Sequence, residues 1–159
     1  RSGKVTELLS DLFIPNATCF SPDGRRAYFA DTIVGTIRTI ETDPETGLPI
    51  GEWTEFAEAS HPGLPDGAVV DAEGFVWNAR WEGSCVIRFA PDGRVDRVVK
   101  VPVNRPTCPA FGGKDLKTMY ITTAREGMTA EQLAAEPTSG GVFAIDLDVP
   151  GQPENLFRA

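Results

Sequence analysis

Residues 64–77 read Leu64-Pro65-Asp66-Gly67-Ala68-Val69-Val70-Asp71-Ala72-Glu73-Gly74-Phe75-Val76-Trp77, and two other parts of the chain can be laid over them. The unit is a loop carrying an acid, a strand of small and β-branched residues, a turn ending in Gly, and a second strand that carries an aromatic residue. The same order runs from Pro15-Asn16 through Ser21-Pro22-Asp23-Gly24 to Tyr28, and from Pro106-Thr107 through Gly112-Gly113-Lys114-Asp115 to Tyr120. The three starting prolines are spaced by 50 and 41 residues. Two further alternating stretches follow each start: residues 36–40 and 52–56, residues 84–89 and 95–99, and residues 141–146 and 154–157.

Four strands in about 40–50 residues is the period of a β-propeller blade, and radial stacking of blades hides most sheet edges. The expected fold is therefore all-β, a single propeller segment of about three four-stranded blades. Residues 10–59, 60–102 and 103–159 form the successive blades, and residues 1–9 supply a strand of a preceding blade, because residues 4–9 alternate like an edge strand. Residues 124–140 make a long loop, a candidate lid, in which residues 129–135 can form one or two helical turns.

The 13 prolines and 16 glycines, spread along 159 residues, favour many short elements joined by turns. A formal charge of -8 and a pI near 4.6 argue against nucleic acid or an anionic membrane as partner, since phosphate binding needs clustered Lys and Arg. The three cysteines, Cys19, Cys85 and Cys108, form no CxxC pair, so neither a zinc knuckle nor a disulfide framework is expected. A reducing, cytoplasmic setting is expected. No apolar run approaches the ~20 residues that span a bilayer. The chain opens Arg1-Ser2-Gly3-Lys4 without Met, and a fragment or a processed product is expected.

In a propeller the first strand of each blade lines the central channel, so Asn16, Asp66 and Thr107 should converge on one axis. Residues 31–35, 81–84 and 124–140 should surround them. An Asn amide oxygen and an Asp carboxylate are hard ligands suited to Ca²⁺, Mg²⁺ or Mn²⁺. The same Pro-Asn and Pro-Asp pairs are also ordinary turn starters that bond local backbone N–H groups. Arg80 and Trp81 end a strand on this face, as substrate contacts or as surface decoration. Asp23, Asp71 and Asp92 read as turn acids, and the tryptophans as packing between blades. His61 is the only histidine and reads as a solvated loop residue, with no second His for a zinc site. Ser60 and Ser84 lack the GxSxG context of a serine triad. Cys19 and Cys108 read as small buried residues of the inner strands.

The motifs Ile14-Pro15-Asn16, Phe20-Ser21-Pro22-Asp23-Gly24, Leu64-Pro65-Asp66-Gly67, Asp71-Ala72-Glu73-Gly74 and Phe111-Gly112-Gly113 occur in this order, followed by residues 119–128, Met119-Tyr120-Ile121-Thr122-Thr123-Ala124-Arg125-Glu126-Gly127-Met128. With them the chain resembles the C-terminal half of the senescence marker protein / gluconolactonase / regucalcin-like family. The resemblance implies a six-bladed propeller that hydrolyses sugar lactones with one divalent cation in its channel, foremost Ca²⁺, with Zn²⁺, Mn²⁺ or Mg²⁺ as alternatives. Two of the family's metal ligands fall on Asn16 and Asp66, and the resemblance makes Asp66 the catalytic residue that activates water. A third ligand, a Glu in a Gly-Glu-Ser-Pro-like stretch, has no counterpart here. Thr107, Trp81 and Arg125 remain candidates at the channel mouth for substrate contact. Closure of the ring is expected from the family's N-terminal half or from a second copy of the chain, with residues 5–9 completing the partner's last blade. A non-catalytic binding propeller and a calcium-dependent phosphotriesterase or aryl-esterase are the alternative readings.

Overall fold

The computed structural model describes residues 5–153. Strands β1 (Pro15–Phe20), β2 (Arg26–Asp31), β3 (Ile37–Thr42) and β4 (Pro49–Ala57) form the first antiparallel sheet, in chain order. Strands β5 (Leu64–Val70), β6 (Val76–Trp81), β7 (Cys85–Phe89) and β8 (Val95–Lys100) form the second in the same order. The third contains β9 (Pro106–Gly112), β10 (Thr118–Thr123) and β11 (Val142–Asp146), with β10 in the middle. The first strands lie side by side, β1 against β5 and β5 against β9, as in three blades of a propeller.

Local chemistry sets the turns. The N–H groups of Gly24, Gly74 and Gly93 donate to the carbonyls of Ser21, Asp71 and Ala90, at 2.9, 3.0 and 2.8 Å, and each glycine has positive φ, which a side chain rarely tolerates. Helix α1 (Ala130–Ala135) lies in the long loop and starts with a capping box: Thr129 Oγ1 accepts from Gln132 N at 3.2 Å, and Gln132 Oε1 accepts from Thr129 N at 2.8 Å.

Two apolar layers hold the sheets together. Between the first and second sheets lie Tyr28, Ile37, Phe56, Val70, Ile87 and Phe89. Trp77, Val86, Val103, Met119 and Ile121 fill the space between the second and third. The middle sheet is thus covered on both faces, and all five residues of β7 are buried. The third sheet alternates instead, with Met119 and Ile121 buried and Tyr120 44% exposed.

Four expectations need correction or qualification. Residues 5–9 form no strand: among the described residues no strand pairs with them, and Val5 is 94% exposed. Residue 4 and residues 154–157 lie outside the described residues, so the third sheet shows three strands. Of the tryptophans, Trp77 packs between sheets against Phe111, but Trp53 packs within its own sheet on Phe29. His61 is half-buried and stacks edge-on to Phe89; burial pushes its imidazole below the usual range.

Asp71 is a turn acid and also the centre of a buried ion cluster. Its Oδ1 accepts from the N–H groups of Glu73 and Phe75, both at 3.0 Å. Its Oδ2 accepts from Trp77 Nε1 at 2.8 Å and from Arg88 Nε and Nη2 at 2.9 and 2.7 Å. Arg88 also reaches Glu73 and Asp96, at 2.7 and 2.8 Å, and lies 3.7 Å from the centroid of the Phe75 ring. Removing one partner of such a pair leaves an uncompensated buried charge. Arg88→Met should therefore cost roughly 3–5 kcal/mol in urea unfolding; a change below about 1 kcal/mol, as for an exposed pair, would contradict the burial.

Candidate metal centre and active site

Asn16 and Asp66 both sit at bulges in their first strands. The β1–β2 register shifts between Asn16 and Cys19, and the β5–β6 register shifts between Pro65 and Ala68. A bulge takes residues out of the ladder and re-aims their side chains. Ala17, next to Asn16, is buried with φ of 56°, a left-handed conformation that costs an alanine on the order of 1 kcal/mol.

A short chain of bonds joins the two bulges. Asn16 Nδ2 donates to Thr32 Oγ1 at 2.9 Å, and Thr32 Oγ1 donates to the Pro65 carbonyl at 2.8 Å. With its amide nitrogen on Thr32, Asn16 has its side-chain oxygen as an acceptor that no donor bonds among the described residues. The segment leading into Asn16 is pinned by Asp31, whose carboxylate accepts from the N–H groups of Phe13 and Ile14 at 2.9 and 3.0 Å. These donations, that of Phe13 foremost, hold the Asp31 carboxyl below the usual range.

Asp66 is half-buried. Burial pushes its carboxyl above the ordinary range, and the Gly67 N–H offsets part of that rise. The backbone carbonyls of Asp66 and Gly67 accept from Asn78 Nδ2 at 2.9 and 3.1 Å. Asn78 Oδ1 in turn accepts from Arg80 Nη1 at 3.0 Å. Arg80 is only 1% exposed, which corrects both its reading as surface decoration and its reading as a substrate contact.

Thr107 occupies the matching place on β9, where its hydroxyl lies 2.6 Å from that of Thr122. Next to it, Cys108 packs on Gly67: a Cβ at residue 67 would lie 2.6 Å from Cys108 Sγ and 2.8 Å from the Thr107 carbonyl. Cys108 is exposed, whereas Cys19 is buried as expected; burial pushes the Cys19 thiol up to about 12, so it is inert. Trp81 is half-buried, with the Arg105 guanidinium 5.0 Å from its ring centroid. Arg105 also bonds Glu82 at 2.8 Å and the Glu126 carbonyl, and Glu136 accepts from Asn104 N at 2.8 Å. The long loop is thus fastened beside the third sheet. Arg125 is exposed, its side chain lying over Gly140, and no bond links it to Asn16 or Asp66.

Among the described residues no three His, Cys, Asp or Glu side chains gather as a metal site. What the structure links through Thr32 is a bulge carrying an amide and a bulge carrying a carboxylate, residue types whose oxygens are hard donors of the kind that Ca²⁺ takes. Asp31 and Thr32 fall in a stretch expected around the mouth and Arg80 on its face, but their bonds to the two bulges, and Asn78 altogether, were not anticipated. A signal was present, since Asp31-Thr32 and Arg80-Trp81 end equivalent second strands.

An all-β propeller segment with an acid and an amide side by side on neighbouring first strands defines the class. The family described as SMP-30/Gluconolactonase/LRE-like region matches residues 1–125, and the chain belongs to it. It is 43% identical over 152 residues to 6-deoxy-6-sulfogluconolactonase of Pseudomonas putida, covering 94% of this chain and 52% of that protein. With L-arabinolactonase of Azospirillum brasilense it shares 40% identity over 145 residues, 91% of this chain and 47% of that protein. The crystal structure of the calcium-binding protein regucalcin from Agrobacterium tumefaciens str. C58 superposes with a TM-score of 0.95 at 42% identity, covering 99% of this chain and 54% of that one. The chain spans about half the length of the curated relatives it matches.

The tight β5–β9 approach gives a direct test. Gly67→Ala forces the two strands apart, and overpacking of this kind costs about 1–3 kcal/mol. Chemical denaturation should show a loss of that size; unchanged stability would mean that the strands separate freely.

Proposed function

We propose that this chain carries part of the active site of a divalent-metal-dependent sugar lactonase, and that Asn16 and Asp66 hold the cation. The Thr32 link between the bulge that carries Asn16 and the bulge that carries the half-buried Asp66 supports this reading. Its support lies in the family and in the lactonase names of the relatives. The regucalcin neighbour, a calcium-binding protein by name, favours Ca²⁺.

When bound, the cation supplies Lewis-acid polarisation of the lactone carbonyl. Asp66 takes a proton from a water molecule as the water oxygen bonds to the carbonyl carbon. The bond from that carbon to the ring oxygen then breaks. The ring oxygen takes the proton held by Asp66, which restores the carboxylate, and becomes the hydroxyl of the open sugar acid. Thr107, next to Gly67 on β9, and Trp81, at the end of β6, would contact the sugar. Arg125 would do so only across the rim of the long loop.

Residues 10–59, 60–102 and 103–159 are read as three blades of a six-bladed ring, with further blades completing the channel. The uncovered apolar side chains on the outer sheets agree with this: Phe20 and Ile33 on one side, 42% and 55% exposed, and Tyr120 and Val142 on the other, 44% and 66% exposed. Among the described residues no helix is long and apolar enough to cross a membrane.

General-base catalysis is worth about 10²–10⁴-fold. In the intact protein, Asp66→Asn should lower kcat on a sugar lactone by that factor at saturating cation. Turnover within about twofold of the unsubstituted protein would overturn the role of Asp66.

A further inference from the structure

We infer that Arg80, acting through Asn78, is a positioning residue for the Asp66 side chain; this rests on the metal-site reading above. At the β5 bulge Pro65 pairs with Arg80 and Ala68 with Asn78, so Asp66 and Gly67 together face the single residue Ala79. Their carbonyls leave the ladder and need other donors. Asn78, fully buried, supplies both missing donors from one amide nitrogen, at 2.9 and 3.1 Å.

That arrangement works only if the Asn78 amide faces one way. Arg80 fixes it, because a guanidinium has donors and no acceptor, so only the amide oxygen of Asn78 can face Nη1. The remaining Arg80 donors hold the entry to β5, with Nε on the Pro62 carbonyl at 3.0 Å and Nη2 on the Gly63 carbonyl at 2.9 Å. One side chain therefore sets both the approach to Asp66 and the bulge that contains it.

Among the described residues no carboxylate forms an ion pair with Arg80. Burial lowers its guanidinium to about 10. An apolar residue would spare the cost of burying a lone cation, so stability alone does not account for an arginine here. Arg88, in the same sheet, is neutralised by three carboxylates instead, and no bond links it to the bulge.

Groups that orient metal ligands from behind typically cost 10–100-fold in metal affinity or activity when removed. The test uses the intact protein and Ca²⁺ itself as the titrant, read by calorimetry below each variant's unfolding range, with kcat and KM on a sugar lactone alongside. Arg80→Met and Asn78→Leu should weaken Ca²⁺ binding by about 10–100-fold and lower kcat more than they raise KM. Arg80→Lys, which keeps the charge and loses the fork, should fall between. Arg88→Met is the control for lost stability in the same sheet and should leave Ca²⁺ affinity within about threefold.

If Arg80→Met does not fold, Arg80→Lys and Asn78→Leu decide the matter. Unchanged Ca²⁺ affinity in both, or a loss equal to that of Arg88→Met, would overturn the positioning role. Asp66→Asn separates the two levels. Weakened binding there with unchanged binding in the Arg80 and Asn78 variants defeats this inference alone. Unchanged binding in Asp66→Asn defeats the metal-site reading and this inference with it.

Discussion

Two carbonyl groups, those of Asp66 and Gly67, leave the β5–β6 ladder, and the channel mouth is organised around their satisfaction. A buried carbonyl without a donor costs about 1–3 kcal/mol, so the bulge persists only with Asn78 behind it. The bulge in turn aims Asp66 away from its sheet and lets Gly67 meet Cys108 on the next first strand. The neighbouring bulge at Asn16 is tied to the same place by Thr32. Two interruptions of regular pairing, at residues 50 apart in the chain, are therefore linked across neighbouring first strands.

The middle sheet carries this construction because it is packed on both faces. Its two buried arginines show opposite solutions to one problem. Arg88 lies among Asp71, Glu73 and Asp96 and serves the turn end of the sheet, where Asp71 also bonds Trp77. Arg80 lies among neutral acceptors at the channel end. Carboxylates close to Arg80 would neutralise it, but they would also add negative charge near Asp66 and oppose its ionisation. Carbonyl partners avoid that conflict while still using every edge of the guanidinium.

Much of the fold was legible because each blade repeats its own punctuation. Pro-x starts, glycine-containing turns and alternating strands recur in phase, so superposing the copies placed Asn16, Asp66 and Thr107 at equivalent positions before any contact was known. A helical turn was expected within residues 129–135, and α1 (Ala130–Ala135) forms there behind the N-cap Thr129. Residues 5–9 alternate, which shows only that one face could be buried, and among the described residues no strand lies beside them. Arg80 and Arg88 were opaque because a charged residue in a strand reveals its burial only once its partners are known. Bulges are equally silent, since they appear as a missing pair rather than as a residue pattern. The Pro-Asp-Gly run inside β5 is a faint hint, as both Pro and Gly weaken a regular ladder.

The account turns on whether Asn16 and Asp66 share one cation. The most direct measurement is a crystal structure of the intact protein grown with Ca²⁺. Density for one ion about 2.3–2.6 Å from both the Asn16 side-chain oxygen and an Asp66 carboxylate oxygen is the predicted result. An ion bound elsewhere, or an Asn16 oxygen and Asp66 carboxylate that remain without a common ion at saturating Ca²⁺, would contradict it.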